Sequence, residues 1–409
     1  MIRGTEVVGR RIEPRTPLSV TVAVSARLPD RLYLMDLNRK NNFDFVRLAL
    51  AVAVIYSHAY VLTVGAEGGE LLHVLTDGLL EAGVLAVNGF FVISGYLITA
   101  SWERSSSMFS YLRKRIYRIY PGFIVAWLLG VFVVAPLAAD ALRYPGLLKS
   151  VAGLVLLNRM EPTGAFEGNP FPGVINGSLW TISYEFRCYL MVMLLGLAGV
   201  LARRRLVLGL TIGLVVMYSA TTYIQWPAVS GALATVMGLP DRLVRLLAYF
   251  LVGATFYKWG TPFLGRWAAV GLAAAALSVL HPVAARLVLP VGFSYALLWF
   301  CFTPHVRLYR WGKYGDFSYG TYLYAFPIQQ LLVYGTGNGL SPLVHFAVAT
   351  PLSVLAGVLS WYGVEKRFLV RVRRGKAPVE TGVIGPTTGG AEAVPAPGRV
   401  PPAEVLKAD

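Results

Sequence analysis

The stretch Asp44–Phe–Val–Arg47–Leu–Ala–Leu–Ala–Val–Ala–Val–Ile–Tyr–Ser–His58–Ala–Tyr–Val–Leu–Thr–Val64 decides the fold class. It is almost wholly apolar. About 20 such residues in a helix cross a hydrocarbon layer of about 30 Å. Outward from it, nine further apolar stretches recur at 82–101, 119–138, 177–201, 206–223, 242–258, 266–281, 284–302, 317–335 and 343–364. Two shorter pieces, 147–157 and 228–239, fall below crossing length and suit an interfacial or re-entrant position. The composition agrees. Of the 409 residues 56 % are hydrophobic and 14 % charged, against about 25 % charged in a soluble domain. Mean hydropathy is +0.59. Disordered, collagenous and ordinary soluble proteins are excluded. The expected class is all-α: a polytopic membrane protein of about ten transmembrane helices.

The loops carry the orientation. Loop 65–81 holds Glu67, Glu70, Asp77 and Glu81 and no Lys or Arg, whereas 102–118 holds Arg104, Arg113, Lys114, Arg115 and Arg118. Further basic turns occur at Arg203–Arg205, at Lys258 and Arg266, at Arg307, Arg310 and Lys313, and from Lys366 onward. Turns without that basic excess alternate with them. Lys and Arg accumulate on the cytoplasmic side, so both termini are expected there. Residues 1–43, with eight Lys and Arg, read as a loosely ordered cytoplasmic segment. Residues 44–366 form the membrane domain. Residues 367–409 read as a disordered cytoplasmic tail, rich in Gly, Pro, Ala and Thr from 375.

The net charge of +16 sits in short clusters between spans, with no nucleic-acid motif, so the partner it implies is the lipid bilayer and not nucleic acid. Two cysteines, Cys188 and Cys301, make no disulfide framework. No His, Cys or acidic pair has metal-ligand spacing, so no metal is expected.

Ionisable residues inside spans are costly and usually functional. Arg47 and His58 are eleven residues apart, which at about 100° per residue places them on one helix face, about 16 Å apart along the axis. Histidine exchanges protons near neutrality. The bland alternatives are a snorkelling arginine and an interhelical hydrogen bond. Asp44, one turn before Arg47, is a pairing candidate. Arg115 and Arg118, also one turn apart, suit phosphate oxygens, or simply anchor the chain at the membrane surface. Glu185 needs a partner in its span, with His58 or an arginine available, or forms a structural ion pair. His73, His281, His305 and His345 read as incidental.

Six segments in order resemble the integral-membrane acyltransferase-3 family of bacterial O-acyltransferases. They are Phe43–Asp–Phe–Val–Arg47 with His58; Asn88–Gly–Phe–Phe–Val–Ile–Ser–Gly–Tyr–Leu–Ile–Thr99; Tyr111–Leu–Arg–Lys–Arg115–Ile–Tyr–Arg118–Ile–Tyr–Pro121; Ser178–Leu–Trp–Thr–Ile–Ser–Tyr–Glu185; Phe317–Ser–Tyr–Gly–Thr–Tyr–Leu–Tyr324; and Tyr362–Gly–Val–Glu365–Lys. The resemblance covers roughly residues 40 to 366. Two positions depart from it: Ala325 stands where many members have His, and Arg367 where many have Pro.

The resemblance implies transfer of an acyl group, most often acetyl, from cytoplasmic acetyl-CoA to a hydroxyl of a carbohydrate such as an exported or cell-surface glycan. Carried over by position, His58 is the catalytic histidine, with Arg47 and Glu185 as its catalytic partners. Arg115 and Arg118 are the donor-binding pair. Two rival readings share the polar residues: a flippase for a lipid-linked saccharide, and an acyltransferase acting on a small lipophilic molecule such as a macrolide.

Overall fold

The computed structural model describes residues 41–65, 69–139, 141–159, 161–224 and 238–374. All ten apolar stretches are helices. In chain order these are α1 (Phe43–Val64), the short α2 (Leu71–Leu75), α3 (Ala82–Glu103), α4 (Met108–Leu129), the short α5 (Leu147–Val155), α6 (Trp180–Leu197), α7 (Arg204–Ala220), α8 (Pro240–Trp259), α9 (Gly265–Ser278), α10 (Pro282–Phe302), α11 (Ser318–Gly335) and α12 (Pro342–Ser360). A final α13 (Lys366–Arg374) continues α12 through a π turn at Trp361–Glu365. The first residues of the expected tail are therefore helical. Residues 1–40 and 375–409, and most of the 228–239 piece, lie outside the described residues. Among the described residues the only β pairing is an isolated bridge between Arg143 and Thr163.

Among the described residues five helical segments are long and apolar enough to cross a membrane: Phe43–Val64, Ala82–Glu103, Met108–Leu137, Pro282–Phe302 and Pro342–Val370. The faces they and their neighbours turn outward are apolar. Ile212, Val216, Leu272, Leu277, Leu355 and Leu359 are all more than half exposed. In water so broad an apolar surface is untenable; against lipid tails it costs nothing. This is an integral membrane protein.

α4 starts at Met108, not near 119 where the apolar run begins. Ser107 caps it, its hydroxyl accepting the Ser110 N–H at 3.1 Å, and the basic run rides in the first turns of the helix. Near its other end a π turn at Gly130–Val134 precedes Pro136, whose missing N–H would leave a regular helix one bond short.

Close packing fixes the bundle. α3 and α8 meet at Gly95 and Gly253, where a Cβ on either would collide with the carbonyl of Phe250 or Val92. Small residues permit such backbone approach between membrane helices. The start of α1 is bolted to the end of α10 by Asn42. Its amide donates to the Phe300 and Val306 carbonyls, each at 3.0 Å, and its Oδ1 accepts the Leu308 N–H at 3.1 Å.

The long segment before α6 is held down by buried amides. Asn169 Nδ2 donates to Gln330 Oε1 at 2.7 Å, Gln330 Nε2 donates to the Phe171 and Val174 carbonyls, and Asn176 Nδ2 donates to the Leu323 carbonyl at 2.8 Å. Glu161 closes the segment on itself by accepting the Ile175 and Asn176 N–H groups at 3.2 and 2.9 Å. Burial raises its carboxyl pKa to about 7, against the opposing pull of Arg159 and those two N–H donors.

Candidate active site

α1, α3, α4, α6 and α11 enclose a cavity of about 660 Å³, within the range of small-molecule sites. Asn41, Arg104 and Lys114 stand at its mouth, at the end of the bundle where α1 begins; Phe90, Thr181 and Tyr322 line its depth. Five of the six ionisable residues singled out in the sequence line it together: Asp44 and Arg47 from α1, Arg115 and Arg118 from α4, and Glu185 from α6.

One wall is a closed ionic network. Asp316, just before α11, receives Arg47 Nη1 at 3.1 Å and Arg118 Nη2 on the same oxygen, Oδ2. Arg118 Nη1 also reaches Glu365 at 3.5 Å. Glu365 is turned inward by the π turn that joins α12 to α13, and it accepts the Ser360 hydroxyl at 3.0 Å. Asp44 reaches Arg47 only at 4.0 Å, so the one-turn pairing read from the sequence is outcompeted by Asp316. Burial pushes the Asp316 carboxyl up, but Arg118, Arg47 and hydrogen bonds from Ser318 overwhelm it and hold its pKa at about 2.

The facing wall keeps its charges apart. Arg115 donates to the Ser101 hydroxyl at 3.1 Å and lies over the rings of Tyr111 and Tyr189, 5.8 and 5.7 Å from their centroids. Its Nε is buried without a hydrogen-bond partner. Glu185 accepts from Ser94 at 2.9 Å and from the Tyr189 hydroxyl. The partner expected for Glu185, His58 or an arginine, is thus replaced by two hydroxyls. Arg187 turns away, over the Tyr184 ring at 4.8 Å. On α3, Ser94 serves the site and its neighbour Gly95 serves packing.

His58 does not line this cavity. It lies a turn beyond the deep end. Tyr322 lines the cavity, Phe326 follows it one turn along α11, and the His58 ring meets Phe326 edge to face at 5.1 Å. The His58 Nδ1 is buried with no hydrogen-bond partner. Ala325 packs with Ile55 and Ala349 instead of facing the cavity. His345, set aside in the sequence, is fully buried, its Nε2 3.1 Å from the Gln329 carbonyl.

Sequence reasoning missed Asp316 as the centre of the network, and gave no role to Glu365. A signal for Asp316 existed. It is the sole carboxylate in a connection that also carries Arg307, Arg310 and Lys313. Among the described residues, no group of three or more His, Cys, Asp or Glu side chains is placed to hold a metal.

The structure is therefore a helical bundle with lipid-compatible outer faces and a charged, apolar-backed cavity among its helices. The family profile described as an acyltransferase domain matches residues 40–362, and the chain belongs to that family of membrane O-acyltransferases. An O-acetyl transferase of Shigella phage Sf6 is 29 % identical over 353 residues, 82 % of this chain and 98 % of that protein. A putative membrane-bound transacylase, BcsY, of Komagataeibacter xylinus is 25 % identical over 351 residues, 79 % of this chain and 82 % of its own length. Nodulation protein 10 of Rhizobium leguminosarum bv. viciae is 32 % identical over 177 residues, 38 % of this chain and 44 % of that protein. No solved structure matches the chain.

Proposed function

We propose that the protein transfers an acetyl group from cytoplasmic acetyl-CoA to a hydroxyl of a carbohydrate, in the inner membrane, with ten spans and both termini cytoplasmic. The observation that carries this reading is the cavity that gathers Arg47, Arg115, Arg118 and Glu185 behind a mouth flanked by Arg104 and Lys114. A mouth with that charge attracts a polyanionic donor. Alternation of basic and non-basic loops supports the orientation, and the phage relative's name supports acetyl as the group moved.

In this mechanism the donor's phosphates lie at the basic mouth and its thioester reaches inward past Arg115. Arg115, with an unused N–H and aromatic rings beneath it, is the donor-facing cation. Arg118, occupied by Asp316 and Glu365, positions the wall. The thioester carbonyl comes to the deep end near Phe90 and Tyr322, one side-chain movement of Phe326 from His58. His58 accepts the proton of the acceptor hydroxyl as its oxygen attacks that carbonyl. The C–O bond forms, the C–S bond breaks, and the proton passes to the departing thiolate. Arg47 and Glu185 fix the charge distribution around the reacting groups.

Labelled-acetyl transfer from acetyl-CoA, using membranes that hold wild type or His58→Ala, tests the reading. A positioned proton-transfer group is worth about 10²–10⁴-fold. A loss of that size in a folded variant is expected, with label appearing in a glycan or lipid-linked fraction for wild type alone. Full activity in His58→Ala rejects the mechanism, and no thioester turnover by folded wild type rejects the donor.

A further inference from the structure

A second set of cations occupies the opposite end of the bundle, and the acyl-transfer site does not use it. Arg242 and Arg245 lie on the first turns of α8, and Arg286 on the first turns of α10. Among the described residues none of the three is ion-paired with a carboxylate. They rest on aromatic rings and one hydroxyl. Arg242 sits over Trp180 at 4.7 Å. Arg286 sits over Tyr218 at 5.6 Å and donates to the Thr221 hydroxyl at 2.8 Å. Arg245 is within electrostatic reach of the same Tyr218 as Arg286, and its Nε is buried with no hydrogen-bond partner.

Farther along the same helices, α7, α8 and α10 leave an apolar groove of about 280 Å³. Ile212 and Val216 line one side, Val252 and Phe256 another, and Leu287 and Val291 the third. Thr211 and Thr255 also border it, but their hydroxyls are spent on each other at 2.7 Å. Arg245 shares one stripe of α8 with Val252 and Phe256, seven and eleven residues on, and Arg286 meets α7 at Tyr218 and Thr221, just past the groove residues Val215 and Val216, so the groove runs from the side of the cations toward the middle of the bundle.

Unneutralised guanidinium groups above a dry groove are complementary to one kind of molecule: an anionic head on an apolar tail. Guanidinium matches phosphate oxygens in fork geometry. We propose that Arg245 and Arg286, with Arg242 at the rim, bind the phosphate head of a lipid whose chain lies in the α7–α8–α10 groove. The proposal stands apart from the acyl-transfer mechanism, because no residue is shared between the two sites.

The test is binding to the full-length wild-type protein in a non-ionic detergent, measured by calorimetry with three probes: farnesyl phosphate, farnesol and inorganic phosphate. Farnesyl phosphate should bind at least tenfold more tightly than either of the others. The double variant Arg245→Gln with Arg286→Gln should lose at least tenfold for farnesyl phosphate while leaving weak farnesol binding as it is. Val291→Phe, at an outward-facing groove position, should weaken farnesyl phosphate severalfold without touching the arginines. Equal affinity for farnesol and farnesyl phosphate overturns the head site. Equal affinity for inorganic phosphate overturns the lipid. Undiminished binding in either variant overturns the location. Should the double variant not fold, the three-probe comparison on wild type and Val291→Phe decide the matter without it.

Discussion

The two walls of the cavity handle their charge in opposite ways. On one, Arg47 and Arg118 converge on a single oxygen of Asp316, and Arg118 reaches on to Glu365, so four side chains from distant parts of the chain neutralise one another. On the other, Arg115 and Glu185 face the same space without an ion pair between them. Tyr189 mediates, its ring near the guanidinium and its hydroxyl on the carboxylate. The first wall spends its charge on holding α1, α4, α11 and the end of α12 together. The second leaves a cation and an anion held by hydroxyls and aromatic rings alone. Two arginines one turn apart in the same basic run therefore do different work, and the difference is set by which carboxylates the fold delivers.

The largest effect should come from breaking the neutralised wall. Asp316→Asn leaves Arg47 and Arg118 half-buried without their shared counter-charge. Removing one partner from a buried pair costs about 3–5 kcal/mol, so the variant should unfold far below wild type in a detergent thermal melt. The same group gives an acid limb. Its folded pKa of about 2 is below the ordinary 3.8. A depressed carboxylate contributes stability that is present above its unfolded pKa and lost as pH falls through its folded value. Wild type should therefore weaken between about pH 4 and 2 by a margin that Asp316→Asn lacks. A variant as stable as wild type would mean that the network is not a scaffold.

Arg115→Gln should do the reverse. It removes no ion pair, so the melt should move little. Binding of the acyl donor should weaken about tenfold, equivalent to about 1.4 kcal/mol, seen as a raised KM with kcat largely kept. A collapse of stability equal to that of Asp316→Asn would erase the distinction between the walls. Tyr189→Phe is a finer probe. It keeps the ring beside Arg115 and removes one donor from Glu185. A severalfold fall in kcat with an unchanged donor KM is expected; an equal rise in KM would show that the two charges act as one unit.

The helices were legible because a run of about 20 apolar residues has few other uses. The start of α4 was not, because hydropathy discounts a basic first turn that the Ser107 cap makes helical. Arg47, Arg115, Arg118 and Glu185 were legible as charges that the membrane does not explain. Asp316 was hidden because it stands in a connection, where charge is unremarkable, and its partner Arg47 is 269 residues away in sequence. The displacement of His58 from the cavity was hidden for another reason. Helical spacing places Arg47 and His58 on one face, but it says nothing of the Phe326 ring against which the imidazole lies.

The smallest expected effect lies outside both walls, in the segment that Glu161 ties together. Here too a carboxylate is buried, but its principal partners are two backbone N–H groups, with Arg159 Nε at 3.7 Å. The result is the opposite of Asp316. Burial prevails and the pKa rises to about 7 from an ordinary 4.5. A carboxyl whose folded pKa lies above its unfolded value contributes stability that is full below the unfolded pKa and lost as pH rises through the folded one. The segment between Arg159 and Asn176 should therefore loosen between about pH 4.5 and 7, seen as faster amide exchange at Ile175 and Asn176 after correction for the intrinsic pH dependence of exchange. Glu161→Gln keeps one acceptor and cannot ionise, so it should flatten that dependence while leaving the Asp316 acid limb unchanged. If the corrected exchange is as pH-dependent in Glu161→Gln as in wild type, the carboxyl is not what couples this segment to pH.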